Sequence, residues 1–178
     1  MFKFIIPETE LFDEEKNEFI TIHEQIVHIE HNLISISKWE SKWHKPFISK
    51  DGMTREQTLD YIKCMTLDDN IPDLAYECIP NKVILDINNY MDDPMTGTRF
   101  SNVEKSKPAS NRNVSSEELY FDMIAFGIPF DPCEKWHLNR LITLIRICNE
   151  KNKPSKKMSA KERTALNKAR RNRHHTKG

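Results

Sequence analysis

The sequence predicts an α+β fold: a small antiparallel β-sheet or hairpin from the first thirty residues, packed by four to five helices, plus a basic helical tail. Three observations carry this. Apolar residues alternate with period two as far as His31, and the period turns helical at Asn32. Charge is also segregated: residues 150–178 hold eleven Lys/Arg against two acids, while residues 1–149 hold 16 basic and 25 acidic side chains. The chain therefore divides into an acidic α+β globular domain over 1–150 and a basic linker and helical tail over 151–178. At 38% apolar residues the body can bury a real core.

Phe2 to Pro7 is a short apolar run, and Glu18–His23 and Gln25–His31 alternate, with Val27 and Ile29 on one side and His28 and Glu30 on the other. The polar stretch Asp13–Asn17 supplies a turn. Leu33, Ile36, Trp39 or Glu40, and Trp43 fall at helical spacing, and Pro46 closes that helix. After a turn at Lys50-Asp51-Gly52, Thr54 and Gln57 form a capping box that opens a helix through Leu59, Ile62, Cys64 and Met65.

Residues 73–93 carry one or two short helices with Val83, Ile84, Ile87 and Tyr90 on the apolar face. Residues 94–116 read as a long loop with a short strand near Met95–Phe100. Either Ser115 or Ser116 can cap, with Glu118 three after Ser115, a helix over Glu117–Phe126 that Gly127 stops. Asp131-Pro132 then opens the longest apolar helix, Pro132–Glu150, whose apolar residues cover more than one stripe and predict a central position. Ser159 and Glu162 box a last, basic helix beyond a proline-bearing linker.

The motifs of common enzymes are missing. The four glycines are widely separated, which leaves no phosphate-cradling loop, and neither a nucleophile elbow nor an HExxH helix is present. The sequence implies no catalytic residue and no cofactor. Asp68-Asp69 and Asp92-Asp93 read as helix-stop acids. Cys133 and His137 could both reach one ion from a continuous helix, with Cys64, Cys78 or His44 completing a tetrahedron, but a buried thiol and histidine explain the same residues, and no metal site is assigned. Nothing at the amino terminus reads as a signal peptide. No apolar run approaches the roughly 18 residues of a membrane span, so four reduced thiols in a cytoplasm are expected.

Two features suit binding. Trp39 and Trp43, four apart among Lys38, Lys42 and Lys45, could stack bases, although core packing continues the Leu33–Ile36 face. The tail residues Lys156, Lys157, Lys161, Lys168, Arg170, Arg171 and Arg173 could neutralise phosphates or dock on an acidic protein surface, and both readings remain open.

The stretches Glu30–Phe47 (EHNLISISKWESKWHKPF), Thr54–Leu67 (TREQTLDYIKCMTL), Glu134–Asn152 (EKWHLNRLITLIRICNEKN) and Lys156–Gly178 resemble a family of small proteins encoded among the virion genes of tailed bacteriophages, described as tail assembly chaperones or structural proteins. The similarity spans most of the chain apart from the amino-terminal hairpin and the 94–116 loop. It consists of word-like matches rather than chemical motifs, and it supplies no catalytic residues. The resemblance implies a non-enzymatic tail morphogenesis factor that binds the tape measure or tail tube protein in the cytoplasm of an infected bacterial host. Such a protein needs an apolar groove, for which Trp39, Trp43, Trp136 and Arg140 are the candidates. One alternative is a minor structural component retained in the virion; another is a nucleic-acid-binding accessory protein acting through the tail.

Overall fold

Four strands and eight helical segments make up an α+β chain in the computed structural model, which describes residues 1–13, 17–49, 52–100, 113–152 and 160–175. They form two compact units, Met1–Arg146 and Ile147–Gly178.

In the first unit, β1 (Phe2–Ile6) pairs antiparallel with β4 (Gln25–Ile29), and β2 (Thr9–Asp13) pairs with β3 (Glu18–Ile22). One register runs through both pairs, from Phe2 opposite Ile29 to Asp13 opposite Glu18, so the two ladders are halves of a single hairpin. The interruption falls at Pro7-Glu8 and His23-Glu24, where proline has no N–H to give a ladder. The TELFD strand β2 was not read from the sequence, because its acids hide the alternation. Of the expected polar turn, residues 14–16 lie outside the described residues.

The covered face of the hairpin changes at this interruption. In the proximal half Phe4, Ile6, Val27 and Ile29 are buried, while the opposed pair Ile5 and Ile26 faces out. Were the same parity covered throughout, Phe12 and Phe19 would be buried. Instead Ile22 is buried, Leu11 and Ile20 are half-buried, and the Phe12–Phe19 pair stands exposed.

Five helices of ten residues or more follow: α1 (Leu33–Trp43), α2 (Arg55–Met65), α4 (Asn81–Asp92), α5 (Ser116–Ala125) and α7 (Leu138–Asn152). Two single turns, α3 (Asp73–Glu77) and α6 (Phe130–Cys133), sit between them. α1 is the central helix, burying Leu33, Ile36 and Trp39 against α2. Trp39 is 0% exposed and lies edge-on to Phe47 at 5.5 Å and Tyr61 at 6.4 Å, while its Nε1–H donates to the Gln57 carbonyl at 3.0 Å. On α2 the expected capping box forms in full: the Gln57 amide donates to Thr54 Oγ1 at 3.2 Å, and the Thr54 amide donates to Gln57 Oε1 at 3.1 Å.

Elsewhere tertiary bonds override the local reading. The expected helix over 132–150 is broken, and its regular part begins at Leu138. Asn32 and His137 form a β-bridge, the Leu33 amide donates to the Glu134 carbonyl at 3.2 Å, and the Leu138 amide donates to the His31 carbonyl at 2.8 Å. Residues 134–136 turn away from the helix axis, and His137 alone bridges the start of α1. α7 also buries only one stripe, Leu138, Leu141 and Ile145, which places it against the core rather than at its centre. No strand forms near Met95–Phe100; the segment around 48 instead bridges to Val114.

The amino end of α5 is also served from a distance. Ser115 occupies the N-cap position but makes no capping bond. The carboxylate of Glu40, buried on α1, accepts from the Ser116 amide at 2.8 Å and the Ser116 hydroxyl at 2.5 Å, and its other oxygen accepts from the Phe47 amide at 2.7 Å. A carboxylate at a helix amino terminus also meets the positive end of the dipole. The boxed residues Ser159 and Glu162 of the last helix, and Lys50-Asp51, lie outside the described residues or side chains.

Glu40→Ala leaves three donors short of an acceptor in a buried place. It should lower stability by about 3 kcal/mol in urea unfolding, with faster hydrogen exchange at Phe47 and Ser116; unchanged protection at those two amides would refute the assignment.

Candidate interaction surfaces

Two pairs of exposed apolar side chains of the first unit lie on the distal hairpin and on α5. Phe12 is 50% and Phe19 71% exposed, and their rings meet across the strands at 5.1 Å between centroids. Such a cross-strand aromatic pair stiffens a two-stranded ribbon. The rings are tilted 58° to one another, and the pair presents apolar surface to whatever approaches. In sequence, residues 8–24 hold seven acids against the single Lys16, and among the described side chains Glu8, Glu10, Glu18 and Glu24 are exposed, so the hairpin that carries the pair is acidic. On α5, Phe121 (67%) and Ile124 (66%) are exposed beside Glu117, Glu118 and Asp122, and Val114 completes a shallow cleft there. Backbone donors at the start of α5 hold the Glu117 carboxyl below its usual range, so that acid stays ionised.

The sequence-derived candidates are distributed differently. Trp39 is in the core and offers no surface. Trp43 is half-buried, and its Nε1–H donates to Asp60 Oδ2 at 2.8 Å, while the same carboxylate takes the Lys42 ammonium. The α1 tryptophans therefore build structure rather than a groove. Trp136 and Arg140 do come together: the guanidinium carbon lies 4.1 Å from the indole centroid, a stacked pair with Arg140 exposed and Trp136 half-buried. In the second unit α8 (Ala160–His175) carries Lys168 and Arg170, both exposed, with Arg163 likewise exposed. Lys161, Arg171 and Arg173 fall on this helix with side chains outside the described set, as do Lys156 and Lys157 in the linker.

A buried polar knot, which sequence reading missed, joins the hairpin to three helices. Glu30 Oε1 accepts from the Tyr90 hydroxyl at 3.0 Å, and the Met1 ammonium lies 2.6 Å from Glu30 Oε2. His31 Nδ1 and the Tyr61 hydroxyl share a hydrogen bond of 2.6 Å, and the His31 and His137 rings meet edge-on at 5.1 Å. His137 Nε2–H donates to the Tyr90 carbonyl at 3.1 Å, and its Nδ1 accepts from the Asn139 amide at 3.3 Å. Both nitrogens of His137 are thus engaged, and the Cys133–His137 helical pairing is lost with the helix that would have made it. Among the described residues no three His, Cys, Asp or Glu side chains converge on a common point, and no helix is long and apolar enough to cross a membrane. Asp68, one of the helix-stop acids, accepts the His28 amide at 2.5 Å, and that bond depresses its carboxyl pKa.

Burial, and after it the neighbouring His137, pulls the His31 pKa down to about 3, and burial lowers His137 as well. A folded pKa below the unfolded value of 6.5 means that the unfolded chain takes up protons first as pH falls. The stability from a neutral His31 is whole above about pH 6.5 and drains away toward pH 3, amounting to about 2–3 kcal/mol by pH 4.5. Urea midpoints measured from pH 7.5 to 4 should fall accordingly, and His31→Phe should flatten that acid limb even if it weakens the protein at pH 7.

No family model, no curated protein and no solved structure matches this chain, so its surfaces are read from their own chemistry.

Proposed function

We propose that this protein is a non-enzymatic assembly factor of tailed-bacteriophage tail morphogenesis, acting in the cytoplasm of the infected host by holding another virion protein through its hairpin arm. The observation that carries the reading is the exposed Phe12–Phe19 pair on its acidic hairpin. A soluble protein leaves adjacent phenylalanines in water when something is to cover them. The charge selects the cover: a helix with an apolar stripe flanked by Lys and Arg would bury its stripe on the rings and set its cations among the glutamates. A tape measure or tube protein with such a helix is the kind of partner the bacteriophage resemblance implies.

The arrangement also suits reversible holding. Two phenylalanines and a few exposed glutamates give modest affinity, and the electrostatic part weakens with salt. An assembly factor must release its client, whereas a component retained in the particle need not.

Co-expression with the tape measure protein of the same genome should yield a complex that survives purification. Phe12→Ser with Phe19→Ser should reduce the recovered partner at least tenfold while lowering the thermal midpoint by only a few degrees, since the pair lies at the half-exposed tip of the hairpin and outside the core. Purified particles analysed by mass spectrometry should lack the chain. A stoichiometric signal there would replace the chaperone reading with that of a virion component.

A further inference from the structure

We infer that α8 is a site for the phosphate backbone of duplex nucleic acid, separate from the protein-binding arm and set on its own unit. Charge supplies the first part of the case. Over Ala160–His175 the sequence places six cations (Lys161, Arg163, Lys168, Arg170, Arg171 and Arg173) against the single acid Glu162. Four of the six are arginine, whose planar fork grips phosphate oxygens in pairs.

The distribution around the helix supplies the second. At 100° per residue, Arg163 and Arg170 lie about 20° apart on one side, and Lys168 lies roughly 150° from them. All three are exposed. A helix meant for a flat acidic protein surface needs its cations on one face and an apolar stripe to bury beneath them. α8 has neither arrangement. Leu166 is its only large apolar residue, and its flanks are Ala165 and Ala169, so little apolar area is on offer. Cations on opposite sides instead match a groove walled by phosphates on both sides. A helix with its side chains, roughly 10–12 Å across, fits the major groove, which is about 12 Å wide.

The composition also sets the kind of recognition. The helix has no Phe, Trp or Tyr on which a base could stack. Binding should therefore read phosphates rather than sequence, and single strands should be held less well than a duplex. The net negative balance of residues 1–149, 25 acids against 16 cations, disfavours contact there and leaves the tail as the main site.

The test is fluorescence anisotropy of the full-length protein with a labelled duplex of roughly 20 bp and arbitrary sequence, between about 50 and 200 mM salt. For six phosphate contacts the affinity should fall about a thousand-fold across that range, with a slope near −5 in log K against log salt. Two unrelated sequences should give the same curve. Arg163→Gln/Lys168→Gln/Arg170→Gln, which keeps good helix formers, should weaken binding at least tenfold, and the Glu versions should abolish it, with the thermal midpoint of the body unmoved. Absence of duplex binding at about 50 mM salt would overturn the proposal, as would full binding by the Glu variant. Displacement of the duplex by equal charge of polyglutamate would assign the helix to an acidic protein instead. Equal affinity for a single strand would overturn the groove placement.

Discussion

The body depends on four consecutive residues, Glu30 to Leu33, where the hairpin ends and α1 begins. Tyr61 from α2, Tyr90 from α4 and the 134–138 segment before α7 all reach this junction through hydrogen bonds to its side chains or backbone. Because the site is buried, each of these bonds is stronger than its counterpart in water, and each would be costly to leave unmade. A half-formed junction is therefore worse than none. The strand, the helix start and three later segments are bound into one arrangement by the need to satisfy Glu30, His31 and Asn32 together.

This constraint also explains the division of labour within the chain. The proximal hairpin is fixed by Phe4, Ile6, Val27 and Ile29 packing beneath the junction, and residues 65–68 of the α2 end hydrogen-bond along β4. The distal half has no comparable anchor on its Phe12–Phe19 face, and it is acidic. Rigidity at the base and apolar exposure at the far end are what a presenting arm needs. The candidate surfaces thus lie where the packing constraint is weakest, on the distal ribbon, on the outer face of α5 and on α8.

Much of the fold was legible because local signals and tertiary needs agreed. The Thr54–Gln57 box formed as written, Gly127 adopts the left-handed conformation (φ 65°) that ends α5, and Val27 and Ile29 turned inward as alternation required. The reading failed where a distant partner supplied what the local sequence also offered. Ser115 could have capped α5, but Glu40 sits 76 positions away in sequence and does so with a charge. Asp131-Pro132 looked like the start of one long helix, but the chain turns over 134–136 and His137 bridges Asn32 before the regular helix begins at Leu138. The surface was harder still. Trp39 and Trp43 were natural candidates by residue type, and burial removed the first from the surface and Asp60 engaged the second. Phe12 gave little signal because it stands in an acid-rich strand, and its exposure follows from a change of covered face that composition does not encode.

The uninterrupted register of the hairpin has an evolutionary corollary. Since both halves count in step, residues can enter or leave the tip in matched pairs without disturbing the ladder below, and the arm can lengthen or shorten by whole rungs. An odd insertion in one strand alone would invert that strand's side chains beyond it and part Phe12 from Phe19 onto opposite faces. Related arms should therefore differ in reach by even steps while keeping the same side forward.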